Sequence, residues 1–205
     1  MAWLWILAAV LFVAYLARRR FVRGVLAAVG QRAVLAVPDR LTLQPARAHS
    51  WRDQNAAESA TEALAENGFV EAGTYRVPEM PGVTVRLLAN PTESFYAAIY
   101  EHPQAGHWLD LFARYQDHTS VTFTTSRPSG LAPRPGHPVV HATGTDAYRL
   151  CERAFAEMPE GTLRPVSVDR AAHDFEEAYV EAVAWRKAYG ISARETAAAA
   201  RRKAA

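Results

Sequence analysis

The sequence predicts an α+β protein in which an N-terminal transmembrane helix is followed by a helix, a five-stranded antiparallel β-meander and C-terminal helices. Three observations lead to this fold class. Residues 2–17 contain no charged side chain. Between residues 73 and 125, short segments rich in β-branched and aromatic residues alternate with turn-forming residues. From residue 145 onward, apolar residues recur at the spacing of amphipathic helices.

The uncharged stretch predicts a membrane anchor over residues 1–22. Its sixteen residues form about 24 Å of helix, which Phe21 and Val22 lengthen toward the roughly 30 Å of a bilayer core. Basic side chains follow this stretch and none precedes it. The positive-inside rule therefore predicts a single span in the inner membrane, with the N-terminus outside and the soluble domain in the cytoplasm. Four arginines are expected at the membrane surface: Arg18, Arg19, Arg20 and Arg23.

Residues 23–49 are predicted to form a juxtamembrane segment and a linker. Between Phe21 and Val37, apolar residues recur at roughly helical spacing, interrupted by Arg23 and Arg32. Two interpretations fit this pattern equally: an amphipathic helix lying on anionic lipid, or a continuation of the anchor helix.

The soluble part is predicted to consist of three segments. Residues 50–126 form a helix and the antiparallel sheet, in which short connections make neighbouring strands antiparallel. Residues 127–144 form a loop rich in proline and glycine, and residues 145–205 form helices that pack on the same domain. The five predicted strands are Gly73–Val77, Val83–Ala89, Phe95–Glu101, Trp108–Gln116 and Ser120–Thr125.

Capping residues predict where three of the helices begin or end. The first helix of the soluble part is expected to begin at Ser50 and to stop at Gly68, which suits the left-handed backbone after a helix. A long helix is expected over Asp169–Tyr189. The last helix is expected to begin with a capping box formed by Ser192 and Glu195.

Charge and cysteine content exclude some classes of function. Five arginines lie between residues 18 and 32, where no acidic residue occurs, so the rest of the chain carries a slight negative charge. This distribution argues against a nucleic-acid-binding protein. The single cysteine, Cys151, excludes an internal disulfide, and its place on an apolar helical stripe predicts a buried thiol rather than a nucleophile. No nucleotide-binding glycine motif is present, and no cofactor is predicted.

A pattern across residues 64–140 consists of the segments NGFVEAGTYRV, AAIYEH, WLDLFARYQDHTSVTFTTS and RPGHP. It resembles a family of uncharacterised, membrane-anchored bacterial proteins, in which a GF…G.Y segment precedes a β-meander that ends in a threonine-rich strand. The resemblance implies boundaries for the fold. It implies no activity and carries over no catalytic residue.

Ligand-binding residues are predicted on the sheet. A small apolar or lipidic ligand held between helix and sheet is expected to contact Tyr96, Phe112 and Phe123. At the threonine-rich strand end, Thr124 and the following Arg127 offer hydroxyl and guanidinium groups to an anionic ligand. The alternative for this strand end is a solvated face, since threonine favours strands in any case.

Two histidine pairs are weak candidates for a metal site. His102 and His107 flank a predicted hairpin loop, with Glu101 as a third ligand. His137 and His141 are placed on one side only if their segment is a regular strand. The first pair matches no strong zinc signature and is explained by exposed polar residues of a hairpin, and the prolines around the second pair favour an extended segment, so no metal site is predicted.

Three functions are compatible with these features. The preferred one is a membrane-tethered interaction or accessory module at the cytoplasmic face, without catalytic activity, whose partners are the lipid bilayer and another membrane protein. The second is a binding domain for a small apolar or lipidic ligand held between helix and sheet. The third is a metal-dependent, membrane-bound hydrolase that uses His102, His107 or His137.

Overall fold

The computed structural model describes residues 20–22, 24–47 and 51–203. A first helix, α1, covers residues 24–35. The other helices are α2 (Gln54–Glu66), α3 (Ala147–Ala156), α4 (Ala171–Tyr189, after a 3₁₀ turn at Val168–Arg170) and α5 (Ala193–Lys203). The strands are β1 (Gln44–Pro45), β2 (Val70–Arg76), β3 (Thr84–Asn90), β4 (Phe95–His102), β5 (Gly106–Arg114), β6 (Ser120–Thr124) and β7 (Val139–His141).

These elements form two compact units. One, here called the sheet unit, consists of residues 38–128 and 133–184. The other, here called the helical unit, contains the described residues up to Val37, residues 129–132 and the described residues from Trp185 onward. Helix α4 contributes to both, and α5 belongs to the helical unit.

The sheet has seven strands and is mixed, so the predicted five-stranded antiparallel meander is wrong. Strands β1 to β6 are antiparallel neighbours in chain order, and β7 pairs parallel to β6. The five predicted strands overlap β2 to β6. Strand β1 is too short, at two residues, to carry an alternating pattern, and β7 lies within the segment that its prolines and glycines assigned to a loop. Both strands exist because an open sheet edge supplies their hydrogen-bond partners.

The structure does not support the predicted transmembrane helix. In the part of the chain that the structure describes, no helix is long and apolar enough to cross a membrane. The stretch from Ala2 to Ala17, on which the anchor prediction depends, lies outside the described residues. The location at the inner face of a membrane, which follows from that anchor, stays a prediction.

Both faces of the sheet are covered within the sheet unit. On the first face, α2 and α3 pack on alternate residues of the strands, with Leu64, Leu111, Phe123 and Leu150 among the fully buried side chains. The second face packs against α4 and the segment before β1. Its core residues include Leu41, Leu43, Val85, Leu87 and Ala98, with Phe175 and Tyr179 of α4 packed against them. Because strand side chains alternate, the central strands β3, β4 and β5 contribute to both cores.

The ends of α2 differ partly from the prediction. Ser50 lies outside the described residues, and Asp53 is the N-cap, since its side chain accepts a hydrogen bond from the Ala56 N–H at 3.0 Å. The predicted stop at Gly68 is confirmed: Gly68 has φ of +84°, and the Gly68 and Phe69 N–H groups donate to carbonyls of the last turn.

The helical unit contains the segment Phe21–Val37, whose described residues are helical up to residue 35. Gly30 lies so close to Ile191 and Thr196 that an added Cβ would collide with both side chains. Phe21, Val25 and Val29 are exposed. These observations leave open whether the segment lies on a lipid surface or continues an anchor.

The predicted capping box at the start of α5 is confirmed. The Ser192 Oγ accepts from the Glu195 N–H at 3.2 Å, and Glu195 Oε2 accepts from the Ser192 N–H at 2.9 Å. The other carboxylate oxygen accepts from the Ala132 N–H at 2.8 Å and pairs with Arg186 at 3.3 Å. Although burial acts in the opposite direction, these contacts lower the pKa of Glu195 to about 2.

We expect Ser192→Ala to lower the free energy of unfolding of the helical unit by about 1 kcal/mol, because the Glu195 N–H then loses its cap. Hydrogen exchange should show faster exchange in the first turn of α5, with no change in the strands. Equal acceleration throughout both units would contradict a local capping role.

Candidate functional site

An open groove of about 450 Å³ lies on the first face of the sheet unit. We call it the α2–α3 groove, because one wall is α2 and the other is the start of α3. Its volume falls in the range of ordinary small-molecule sites. The lining residues are Ala56, Ser59, Ala60, Ala63, Ile99, His107, Trp108, Leu109, Thr125, Thr145, Asp146, Ala147 and Tyr148.

Small side chains on α2 leave room for this groove. Ala56, Ala60 and Ala63 recur every three or four residues and therefore share one side of the helix. The floor is apolar, since Ile99 and Leu109 are directly paired across β4 and β5 and both are buried. The groove is thus a mainly apolar surface with a few polar groups at its rim.

The polar end of the groove is formed by His107. Its Nε2 lies 2.8 Å from Oε1 of Glu101, which is buried. Glu101 also accepts hydrogen bonds from the N–H groups of Arg52 and Asp53, at 2.8 to 3.1 Å, just before α2. The His107 ring stacks on Trp51, with 6.1 Å between ring centroids. Glu101 therefore fixes both the start of α2 and the orientation of the imidazole.

The charge of Glu101 is stabilised in this position. Burial by itself raises its pKa, but the backbone hydrogen bonds from Arg52 and Asp53, together with His107, outweigh burial and hold the pKa below its usual range. The carboxylate therefore stays ionised at neutral pH. It binds Nε2 of His107, whose ring lines the mainly apolar groove.

The predicted ligand residues do not form one site. Phe123 is fully buried in the core of the first face, whereas Tyr96 and Phe112 lie on the second face, with 5.5 Å between their ring centroids. Thr124 is buried and bonds to Ser126 at 2.9 Å. The sequence identified strand residues with suitable side chains but not which face each one occupies.

The histidines that were weak metal candidates have other partners. His102 Nδ1 accepts from the N–H groups of Gln104 and Ala105, both at 3.1 Å. His137 Nδ1 lies 2.7 Å from Ser120 Oγ, and His141 Nδ1 lies 2.9 Å from the Ser126 carbonyl. No group of three His, Cys, Asp or Glu side chains among residues 20–22, 24–47 and 51–203 is arranged to hold a metal ion.

The remaining candidates are placed as follows. Arg127 is exposed, and so is Arg20, whereas Arg18, Arg19 and Arg23 lie outside the described residues. Cys151 is buried in α3, and burial raises the pKa of its thiol to about 12, as expected for a protonated core cysteine.

Asp110 is an ionisable group that the sequence reasoning missed. It lies on the second face, and its Oδ1 is inaccessible to solvent and has no hydrogen-bond partner in the described structure. Burial raises the pKa of Asp110 to about 6, although the polar groups of Thr124, Trp108 and Tyr100 act in the opposite direction. The only feature of the sequence that could have identified Asp110 is a charged residue within a strand segment rich in aromatic and aliphatic residues.

Comparisons with protein-family models, with curated proteins and with solved structures give no significant match to this chain. The resemblance to the family of membrane-anchored bacterial proteins therefore stays a prediction.

Proposed function

We propose that the sheet unit is a binding domain for a small apolar ligand, which lies in the α2–α3 groove with one polar group directed toward His107. The observation that carries this proposal is the combination of a cavity of about 450 Å³ with an apolar floor and a few polar groups at the rim, His107 among them. Sites for small molecules commonly combine an apolar lining with a few polar groups that orient the ligand.

The shape of the groove favours a flat or extended ligand. Its α2 wall consists of alanine and serine side chains, which leave the backbone of the helix close to the ligand. Trp108 and Tyr148 add aromatic surface, which contributes large contact areas. The hydroxyl of Thr125 is already engaged, because it accepts from the Leu109 N–H at 2.9 Å. Among the other polar lining residues, which are Ser59, His107, Thr145 and Asp146, the His107 ring is held in place by Glu101 and Trp51.

We expect Ala56→Phe to weaken the binding of a neutral apolar fluorophore, N-phenyl-1-naphthylamine, by about tenfold, because the added ring fills the groove. The measurement is a fluorescence titration of the full chain. Ala65→Phe is the matched control: Ala65 is also exposed on α2 but does not line the groove.

Equal affinity of the two variants would contradict the proposal, since the probe would then bind elsewhere. Circular dichroism of both variants shows whether the fold is retained. If Ala56→Phe is unfolded, Tyr148→Ala provides the second test, because Tyr148 is exposed and lines the opposite wall.

The interaction module preferred from the sequence stays a prediction. The feature that favours it is the exposed apolar stripe of Phe21, Val25 and Val29, which recur every four residues in the helical unit. Cross-linking in cells through a photoreactive residue at position 25 tests it, and recovery of the protein without any cross-linked partner would count against it.

A further inference from the structure

A second cleft, of about 330 Å³, lies on the second face of the sheet unit. We call it the arginine cleft, because Arg114, Arg164 and Arg170 line it together with Tyr96 and Asp174. The lining contains three guanidinium groups and one carboxylate, and the two further carboxylates that pair with Arg114 belong to Glu177 and Glu181.

Two of the three arginines have partners within the protein. Arg114 pairs with Glu177 at 3.2 Å and with Glu181 at 2.9 Å. Arg170 pairs with Asp174 at 3.0 Å. By contrast, the Arg164 guanidinium has no hydrogen bond or ion pair with any residue in the described ranges.

The backbone directs Arg164 into the cleft. Leu163 and Tyr115 form a β-bridge and both pack into the core of the first face. Their neighbours Arg164 and Arg114 are therefore expected on the opposite face, and the Arg164 N–H donates to the Arg114 carbonyl at 2.8 Å. That face carries Tyr96, whose hydroxyl donates to Asp174 at 2.7 Å.

A half-buried guanidinium without a counter-ion loses hydration and gains no compensating contact. Its planar fork of N–H groups matches a carboxylate or a phosphate group. We propose that the arginine cleft binds a small anion carrying one carboxylate or phosphate group, with Arg164 as its principal ligand.

The cleft selects a compact anion rather than a polyanion. Asp174 lies in the lining, and Glu177 and Glu181 neutralise Arg114, so a highly charged ligand such as a nucleic-acid strand would meet three carboxylates. The Nη1 group of Arg170 is available as a secondary contact, because Nε and Nη2 are the atoms that bond to Asp174. This cleft and the α2–α3 groove lie on opposite faces of the sheet and share no lining residue.

The test is calorimetric titration of the full chain with inorganic phosphate and, separately, with succinate, at an ionic strength held constant with sodium chloride. We expect saturable binding of at least one probe. Arg164→Gln should weaken it about tenfold, because the charge-assisted fork is lost. The probe that saturates at the lower concentration identifies the preferred anionic group.

Arg149→Gln is the matched control, because Arg149 is exposed on α3 and does not line the cleft. It should bind as the unmodified protein does. If Arg164→Gln does not fold, Arg164→Lys keeps the charge without the fork and should show a smaller loss. Absence of saturable binding of both probes, or equal affinity of the Arg164 variant that folds and the unmodified protein, would overturn the proposal.

Discussion

Glu101→Ala is expected to lower the free energy of unfolding by about 3 kcal/mol, the largest loss among the substitutions considered for this protein. The buried carboxylate accepts from the N–H groups of Arg52 and Asp53 and contacts His107 at 2.8 Å. Removing it leaves three donors without their acceptor and detaches the start of α2 from the sheet. The groove wall should loosen with it.

Chemical denaturation at neutral pH measures this loss. Glu62→Ala is the control, since Glu62 is exposed on the same helix, and it should change stability by less than about 0.5 kcal/mol. Glu101→Gln, which keeps an acceptor oxygen, should lie between the two. A loss no larger than that of the control would mean that Glu101 does not hold α2.

The contribution of the Glu101 carboxylate to stability should depend on pH. The pKa of Glu101 in the folded state lies below its usual value of 4.5, so its contribution is present above that value and is lost as the pH falls through the folded pKa. The difference between the unmodified protein and Glu101→Gln should therefore shrink in acid. If the difference in the free energy of unfolding stayed constant down to the folded pKa, the contribution of Glu101 would come from the shape of its side chain and not from its charge.

Asp110→Asn is expected to raise the free energy of unfolding at pH 7 by about 2 kcal/mol. Burial raises the pKa of Asp110 from 3.8 to about 6, so ionising this carboxylate is unfavourable in the folded protein. Asparagine has nearly the same shape as the protonated acid and carries no charge. The substitution should thus remove the cost of burying an anion while keeping the packing around Tyr100 and Trp108.

The stability gained by Asp110→Asn should depend on pH. A group whose folded pKa is raised binds its proton more tightly in the folded state, so the unmodified protein should lose stability between about pH 3.8 and pH 6. The advantage of Asp110→Asn should appear over this window and be absent below it. Thermal unfolding at several pH values measures it, with Asp169→Asn, at an exposed position, as the control.

Destabilisation by Asp110→Asn at pH 7 would contradict this account. It would show that the ionised carboxylate has a partner that offsets burial, and a titration with divalent cations would then be the next measurement.

Local patterns in the sequence predicted much of the secondary structure of the sheet unit and one feature of the helical unit. Alternating apolar residues identified the five strands that overlap β2 to β6, because each has enough residues to show its own periodicity. The stop of α2 at Gly68 and the capping box of Ser192 and Glu195 were predicted for the same reason. A turn or cap depends on residues within a few positions of one another.

Tertiary structure decided the rest. Strand β7 forms although its segment is rich in proline and glycine, because β6 offers an unpaired edge. Glu101 resembled a metal ligand beside two histidines, yet besides His107 it binds backbone N–H groups nearly fifty positions earlier in the chain. No residue next to Arg164 in the sequence marks it as a ligand-binding residue. That its guanidinium lacks a counter-ion is apparent only in the folded protein, where it lies in one cleft with Tyr96 and Asp174. Partners of buried or half-buried charges are set by the folded arrangement of distant segments, and no local pattern encodes them.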